Sequence, residues 1–206
     1  MKIQFLIITI LFSTFSFSQT KKNNLFKADI DVLVEEMEFM YAYDQTMREF
    51  TFYKTFDKSE TNRIEELPDS LRAVELKKIN FASDSLTRNI FKNYINPKDA
   101  EHTQRIIDIT KKYGFPSMTR IKKYYKKDFA DREFNPVILL IHSPKKYWEE
   151  LKVMMKKEYD NGVISQCDYG YLLWQFTGRK SFQPMLDNGF EMAEKDGKPV
   201  LTSTCN

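Results

Sequence analysis

The sequence predicts an all-α protein: a single-domain, multi-helix bundle with a short irregular or hairpin C-terminal tail. Apolar residues recur at spacings of three and four along most of the 206 residues, as they do on one face of an amphipathic helix. No segment of useful length alternates apolar and polar residues as a half-buried strand does. With 42% hydrophobic and 30% charged residues, the chain is typical of one globular domain that needs no metal or disulfide to hold its core.

The first two predicted helices are long. One covers residues 25–56, where the apolar residues that follow the helical spacing are Leu33, Met37, Met40, Tyr41 and Met47. The second begins at Pro68 and runs to about Ile95. Its expected apolar positions include Leu71, Val74, Leu86 and Tyr94.

Cap and stop signals mark the helices in the middle of the chain. Asn96 and Pro97 predict an N-cap followed by proline in the first helical turn. Gly114 predicts the end of the same helix, because glycine adopts the left-handed conformation that terminates many helices. Ser117 then predicts the cap of a short helix that ends near Tyr125.

The C-terminal half contains one ambiguous segment. The apolar run over residues 137–141 has the length of either a buried strand or a short buried helix, and a cap signal at Asn135 favours the helix. Further helices are predicted after Pro144 and after a cap at Ser165. Glycine-containing turn sequences within residues 187–197 predict a turn-rich tail with a short hairpin.

Residues 1–18 have the order of a secretory signal peptide. One cation, Lys2, precedes an apolar run and a small-residue site, so cleavage after Ser18 would leave Gln19 at the N-terminus. A transmembrane anchor fits less well, because the apolar stretch is short, contains Ser and Thr, and is followed by no stop-transfer pattern. We therefore expect residues 19–206 to form one helical domain in the periplasm or outside the cell, with no stable membrane span.

The composition argues against several classes of protein. The two Cys and two His lack the close pairwise spacing of a zinc finger, two Cys are too few for a four-cysteine iron–sulfur cluster, and we predict no metal site and no cofactor. Without the leader, 31 basic residues face 29 acidic ones, so we expect no nucleic-acid partner. The basic, aromatic segment 120–127 is interpreted as a solvated cationic face. Familiar catalytic motifs such as G-x-S-x-G and H-E-x-x-H are absent.

Charged residues on an apolar helix face give the main functional hypothesis. Asp44 follows Met40 by four positions and precedes Arg48 by four, which places an acid and a base within the apolar stripe of the first helix. An ion buried in this way is costly unless it is paired and hydrogen-bonded. The two residues form either a preorganised binding or catalytic pair, or an intrahelical ion pair that orients the core.

The two histidines extend this hypothesis. Asp99 lies in the first turn of its helix, where a carboxylate stabilises the helix N-terminus, and His102 follows one turn later. His142 ends the apolar run at the rim of the core, where both of its ring nitrogens need partners. The catalytic candidates are therefore His142 or His102 acting with Asp44 or Asp99.

Hydrogen-bond satisfaction predicts that these polar residues converge in space. Each would carry an unmet desolvation cost if it were buried separately, and one shared network removes that cost. We expect Gln45 and Arg179 at the margin of the network. The predicted binding residues are Asp44, Gln45, Arg48, Asp99, His102, His142 and Arg179.

A series of short motifs lies between Leu33 and Arg179. They are Asp44-Gln45-x-x-Arg48, Asp99-Ala100-Glu101-His102, Gly114-Phe115-Pro116, Ile141-His142 and Gly178-Arg179. Their order and spacing resemble an uncharacterised bacterial family of helical domains with D-Q-x-x-R, D-x-x-N, G-W-P, Q-H and D-R motifs. The chain departs from that pattern at His102, Phe115 and Ile141, and it lacks the family's later Y-G-T-Q. The resemblance implies a mostly helical fold and a shared polar cluster, and it implies no reaction.

Cys167 and Cys205 are the only cysteines. An oxidising compartment favours a disulfide between them, and closing this loop would stabilise the fold by about 4 kcal/mol in the chain-entropy model. Alternatively, Cys167 is a small buried apolar residue and Cys205 stays free near the chain end.

The expected function is that of an exported helical binding or interaction module, with an unknown small molecule or an envelope protein as its partner. The alternatives are the hydrolase-like enzyme described above and a purely structural envelope protein. An open cleft at the polar residues would favour binding or catalysis, whereas a sealed core would favour the structural role.

Overall fold

The longest element is helix α1, Lys2–Tyr53. The computed structural model describes residues 2–195 and 197–205, with their side chains from Thr20 onwards. Side chains spaced by three and four along α1 face the core, as the sequence predicts for residues 25–56. The buried ones include Leu33, Met37, Met40 and Tyr41.

The leader predicted over residues 1–18 lies outside the described side chains, so the expected cleavage after Ser18 stays a prediction. Within the described part of the chain, no helix combines the length and the apolar character that a membrane crossing requires.

Three short helices follow α1: α2 (Lys58–Glu65), α3 (Asp69–Ile79) and α4 (Asp84–Ile90). Helix α2 was not predicted from the sequence. Its local signal is Asp57, whose carboxylate accepts a hydrogen bond from the Ser59 N–H and so caps the helix.

The single helix predicted from residue 68 to residue 95 is wrong. The chain is extended at Asn80, and α4 begins after Ser83, whose hydroxyl accepts a hydrogen bond from the Leu86 N–H. A serine cap of this kind offers the backbone an alternative to continuing the preceding helix. Since α3 and α4 bury none of their side chains, three apolar residues expected in the core are exposed there: Leu71, Val74 and Leu86. Tyr94, in the turn that follows α4, is exposed as well.

A π-helical turn, Phe91–Ile95, joins α4 directly to α5, Asn96–Tyr113. The predicted N-cap at Asn96 is therefore wrong: Asn96 has helical dihedral angles, and its N–H bonds to the Phe91 carbonyl. Pro97 has no N–H, and its ring clashes with the carbonyl four residues back in a regular α-helix. The wider π turn lies just before this proline.

The remaining helices follow the predicted caps and stops. Gly114, with a φ of 80°, ends α5. Ser117, Asn135 and Ser165 each accept a backbone N–H in the first turn of the next helix. The run of residues 137–141 is helical, as its cap indicates. The elements are α6 (Met118–Tyr124), α7 (Pro136–Ile141), a 3₁₀ turn (Lys145–Tyr147), α8 (Trp148–Asp160) and α9 (Gln166–Phe176).

The C-terminal tail forms the predicted hairpin. Cys167 on α9 and Cys205, just after the hairpin, form a disulfide, which decides between the two alternatives left by the sequence. Gly189 packs against this bond: a Cβ at Gly189 would lie 2.8 Å from the Cys167 Sγ. The elements are α10 (Gln183–Leu186) and the antiparallel strands β1 (Phe190–Lys195) and β2 (Lys198–Ser203).

The core lies between α1, α5, α7, α8 and α9, and the fold is mostly helical. Helix α7 packs on α1, α5 and α9, and it is central because nearly all of its residues are buried: Pro136, Val137, Leu139, Leu140 and Ile141. This position holds the residue that follows α7, His142, beside α1.

Two buried charges form what we call the closed network: Arg120 and Glu158 with the backbone of Tyr113 and Phe115. Arg120 is only 8% exposed, and it donates to the carbonyls of Phe115 at 2.7 Å and Tyr113 at 2.8 Å. Glu158 accepts a hydrogen bond from the Phe115 N–H at 3.0 Å. The predicted solvated cationic face at residues 120–127 is therefore wrong at Arg120, because carbonyls at the end of α5 need a donor.

Candidate functional site

Four charged or titratable side chains from three helices meet in one hydrogen-bonded cluster, here called the groove network: Asp44, Arg48, Asp99 and His142. The Nδ1 atom of His142 lies 2.9 Å from Asp44 Oδ2 and 3.1 Å from Oδ1. Arg48 donates from Nε to Asp44 Oδ1 at 3.0 Å and from Nη2 to Asp99 Oδ1 at 2.5 Å. These bonds confirm the predicted convergence of the four residues, whereas their role in binding stays a prediction.

Local sequence explains how each helix contributes to the network. Asp44 and Arg48 are four residues apart on α1, so their side chains lie on the same face of the helix. Asp99 lies in the first turn of α5, and His142 directly follows the buried helix α7. Gln45 joins at the predicted margin, since its Nε2 donates to Asp44 Oδ2 at 2.7 Å.

The surroundings shift the pKa values of the two carboxylates, Asp44 and Asp99, in opposite directions. Burial by itself raises the pKa of Asp44, but the hydrogen bond from His142 and the charge of Arg48 outweigh it and lower the pKa below its usual value of 3.8. Burial raises the pKa of Asp99 above 3.8, and Arg48 offsets this only in part. Asp44 is thus the firmly ionised member of the pair.

The tautomer of a neutral His142 ring follows from this arrangement. An ionised carboxylate only accepts hydrogen bonds, so Nδ1 of His142 carries a proton and donates to Asp44. In the neutral ring, Nε2 is then a hydrogen-bond acceptor and a base. The described residues provide no partner for Nε2, and His142 lines an open groove.

The groove has a volume of about 930 Å³, near the upper end of the range of small-molecule sites. Arg48, Gln45 and His142 form part of its wall, whereas Asp44 is only 4% exposed and lies behind them. The groove network is therefore neither fully solvated nor fully sealed. Its charges are fixed in the protein, while one side of it faces solvent.

The rest of the groove wall consists of residues that the sequence analysis does not identify as functional. Aromatic and charged side chains from the end of α1, from α2 and from the loop before α7 line the groove. They include Glu49, Phe52, Tyr53, Phe56, Lys58, Glu65, Asp131, Arg132 and Glu133. No motif marks them in the sequence, because they come together only when the segment after α1 folds back toward residues 130–133.

Two predicted members form no described hydrogen bond with the groove network. His102 is buried, and its ring meets the Tyr43 ring edge-on at a centroid distance of 5.9 Å, while burial lowers the pKa of His102. Arg179 bonds to Gln175 and lies 5.0 Å from the centre of the Trp174 ring. Arg179 lies just beyond the end of α9, and its place at the margin of the groove network stays a prediction.

The site has a limited chemical range. Within the described residues, no group of three or more His, Cys, Asp or Glu side chains is arranged to hold a metal ion. The hydroxyl groups of the groove belong to threonine and tyrosine, and no described hydroxyl or thiol bonds to His142. The arrangement presents a fixed acceptor, His142 Nε2, together with several carboxylates and exposed aromatic rings.

No family model matches the chain, and neither a curated protein nor a solved structure matches it. The resemblance to the bacterial helical family therefore stays a prediction, and the functional argument depends on the site itself.

Proposed function

We propose that the chain is an exported binding module whose ligand site is the groove in front of His142. The observation that supports this proposal is the acceptor at the groove wall: Asp44 holds Nδ1 of His142, and Nε2 is left without a partner among the described residues. A ligand N–H or O–H group placed in the groove completes this hydrogen bond.

Preorganisation supports binding. Arg48 links the two carboxylates, and Gln45 adds a further hydrogen bond to Asp44, so the acceptor is held in place before a ligand arrives. A binding site that is already ordered loses less conformational entropy when the complex forms. The exposed rings of Phe52 and Phe56 provide apolar surface in the same groove.

The export part of the proposal has separate support. The disulfide between Cys167 and Cys205 is of the kind that persists in oxidising compartments, and residues 1–18 have the order of a signal peptide. We expect the exported protein to begin at Gln19, with that residue cyclised. Intact mass spectrometry of the native protein tests this, and a chain that retains Met1 in a membrane fraction contradicts it.

The binding proposal can be tested by NMR titration with three dipeptide probes. Each has an N-acetyl group, a phenylalanine and an amidated C-terminal residue, which is arginine, citrulline or glutamate. We expect at least one probe to shift the amide signals of groove residues, and His142→Gln to weaken that binding at least about 5-fold. The proposal fails if none of the three probes shifts groove signals.

A second candidate is the hydrolase-like enzyme, which the Asp44–His142 pair favours because a carboxylate bonded to Nδ1 leaves Nε2 as a general base. Hydrolysis of p-nitrophenyl acetate separates the two functions. A binding module gives the same rate as its His142→Gln variant, whereas a general base at this position gives a rate that falls at least about 100-fold in the variant.

A further inference from the structure

We infer that the groove takes a cationic, partly apolar ligand: an amine or guanidinium group next to an aromatic or aliphatic portion. This inference rests on the proposed binding function, and it adds the chemical class of the ligand. The basis is what remains unpaired in the groove: some hydrogen-bond acceptors have no partner, and the carboxylates outnumber the cations.

The charges of the groove do not balance. Four carboxylates line it, at Glu49, Glu65, Asp131 and Glu133, against three cations at Arg48, Lys58 and Arg132. Arg48 is already bonded to two further carboxylates behind the wall, those of Asp44 and Asp99. The wall and the network behind it therefore hold more carboxylates than cations, and this excess attracts a positively charged group.

Glu49 provides the most specific acceptor. Its Oε1 atom is buried and has no hydrogen-bond partner among the described residues. Its ion-pair partner is Lys58, whose Nζ lies 3.6 Å away, beyond hydrogen-bond distance, on a side chain that is 66% exposed. Because this ammonium is only loosely held, a ligand cation can displace it and bond to the Glu49 carboxylate.

A second acceptor and two aromatic rings define the rest of the ligand. His142 Nε2 accepts an N–H from the same ligand or from its amide groups. Phe52 is 61% exposed and Phe56 is 65% exposed, so both rings offer surface to an apolar portion or a face to the cation itself. Phe56 is fixed by stacking on Phe50, with ring centroids 4.5 Å apart.

An anionic ligand fits this wall poorly. The guanidinium of Arg48 already bonds to the carboxylates of Asp44 and Asp99, so its positive charge is compensated before a ligand carboxylate or phosphate arrives. An anion in the groove would also face the carboxylates of Glu49 and Glu133. Like charges at such distances disfavour binding.

Isothermal titration calorimetry with the same three dipeptide probes tests the inference. Citrulline is a neutral group of nearly the same shape as arginine, so the pair isolates the effect of charge. At low ionic strength we expect the arginine probe to bind at least about 10-fold more tightly than the citrulline probe, with the glutamate probe weakest. The difference should shrink in 0.5 M salt, because salt screens the groove charges.

Two groove variants should change this difference in opposite directions. Glu49→Gln should reduce the preference for arginine over citrulline to below about 3-fold, because it removes the acceptor charge. Lys58→Gln should increase the preference, because it removes the competing cation. Glu191→Gln and Lys198→Gln, which make the same changes on the hairpin outside the groove, serve as matched controls and should leave the preference unchanged.

The possible failures can be told apart. Equal affinities for the arginine and citrulline probes, or a preference for glutamate, overturn the inference about charge while leaving a binding groove in place. The absence of groove signals in the NMR titration with all three probes overturns both the inference and the proposed function. Thermal unfolding of each variant confirms that the fold is intact before affinities are compared.

Discussion

The groove network and the closed network bury the same kinds of groups in different ways. In the closed network, the Arg120 guanidinium bonds to backbone carbonyls and stacks on Phe26, and Glu158 bonds to a backbone N–H. In the groove network, Asp44, Arg48 and their partners bond mainly to one another through side chains. One network satisfies the backbone, while the other holds side chains in position.

The difference between the networks shows that burial of charge alone does not identify a functional site. Arg120 and Glu158 are at least as well buried as Asp99, yet their side chains bond mainly to the backbone at and just after the end of α5, with one further bond from Arg120 to Asn23. The groove network differs because one of its hydrogen-bonding atoms is still unpaired: His142 Nε2 has no described partner, and His142 lines an open groove. The following predictions rank the two networks by stability and by binding.

The largest effect is expected for Arg120→Ala. This change leaves the buried Tyr113 carbonyl without its side-chain donor and Glu158 without a nearby cation, so the free energy of unfolding should fall by about 3–5 kcal/mol. Urea denaturation measures the change. The folded variant should bind the dipeptide probes as the wild type does, and a loss below about 1 kcal/mol would show that the closed network is not structural.

Asp44→Asn should have the next largest effect, about 2 kcal/mol, because several hydrogen bonds to a charged group are weakened. The pKa of Asp44 is lowered in the folded state, so its ionisation stabilises the fold at neutral pH. This contribution is lost as pH falls below 3.8 and through the folded-state pKa. Urea titrations between about pH 2 and pH 7 should show the wild type and the variant converging in acid, and a constant difference would contradict the assignment.

Asp99→Asn is expected to change stability by less than about 1 kcal/mol. The pKa of Asp99 is raised in the folded state, so its contribution to stability is present in acid and is lost as pH rises through the folded-state pKa. The neutral amide avoids this loss and can still accept from Arg48. Relative to the wild type, the variant should therefore gain stability from acid to neutral pH, and the opposite trend would mean that Arg48 outweighs burial.

The smallest change in stability, below about 1 kcal/mol, is expected for His142→Gln. The side chain of His142 is 21% exposed, and glutamine can still donate a hydrogen bond to Asp44. The same variant should lose affinity for the citrulline probe, which carries no charge. Thermal unfolding and calorimetry together separate the two effects. A large loss of stability with unchanged binding would show that His142 has a structural role, like the residues of the closed network.

Much of the fold follows from local sequence. The caps at Ser117, Asn135 and Ser165 and the stop at Gly114 each depend on one side chain or one glycine acting on neighbouring backbone groups, so the corresponding helices were predictable. The pairing of Asp44 with Arg48 follows in the same way from their four-residue spacing on one helix.

The errors also have a physical pattern. The break at Asn80 depends on a competing cap, and the exposure of Leu71 follows from a helix that finds no surface to pack against. The burial of Arg120 depends on carbonyls at and just after the end of α5. The spacing of apolar residues and the distribution of charge do not contain this information, because each of these features depends on which other segments the residue contacts in the folded protein.

The sequence by itself therefore determined the helical class, most helix ends, the C-terminal hairpin and the polar residues that needed partners. Only the tertiary structure decided that His142 meets Asp44, that Cys167 meets Cys205, and that an open groove lies in front of one network and not the other. The physical reason is the sequence separation over which the interactions act. Caps and helical spacing act within one or two turns, whereas the groove is built by residues about 90 positions apart that come together only when the core packs.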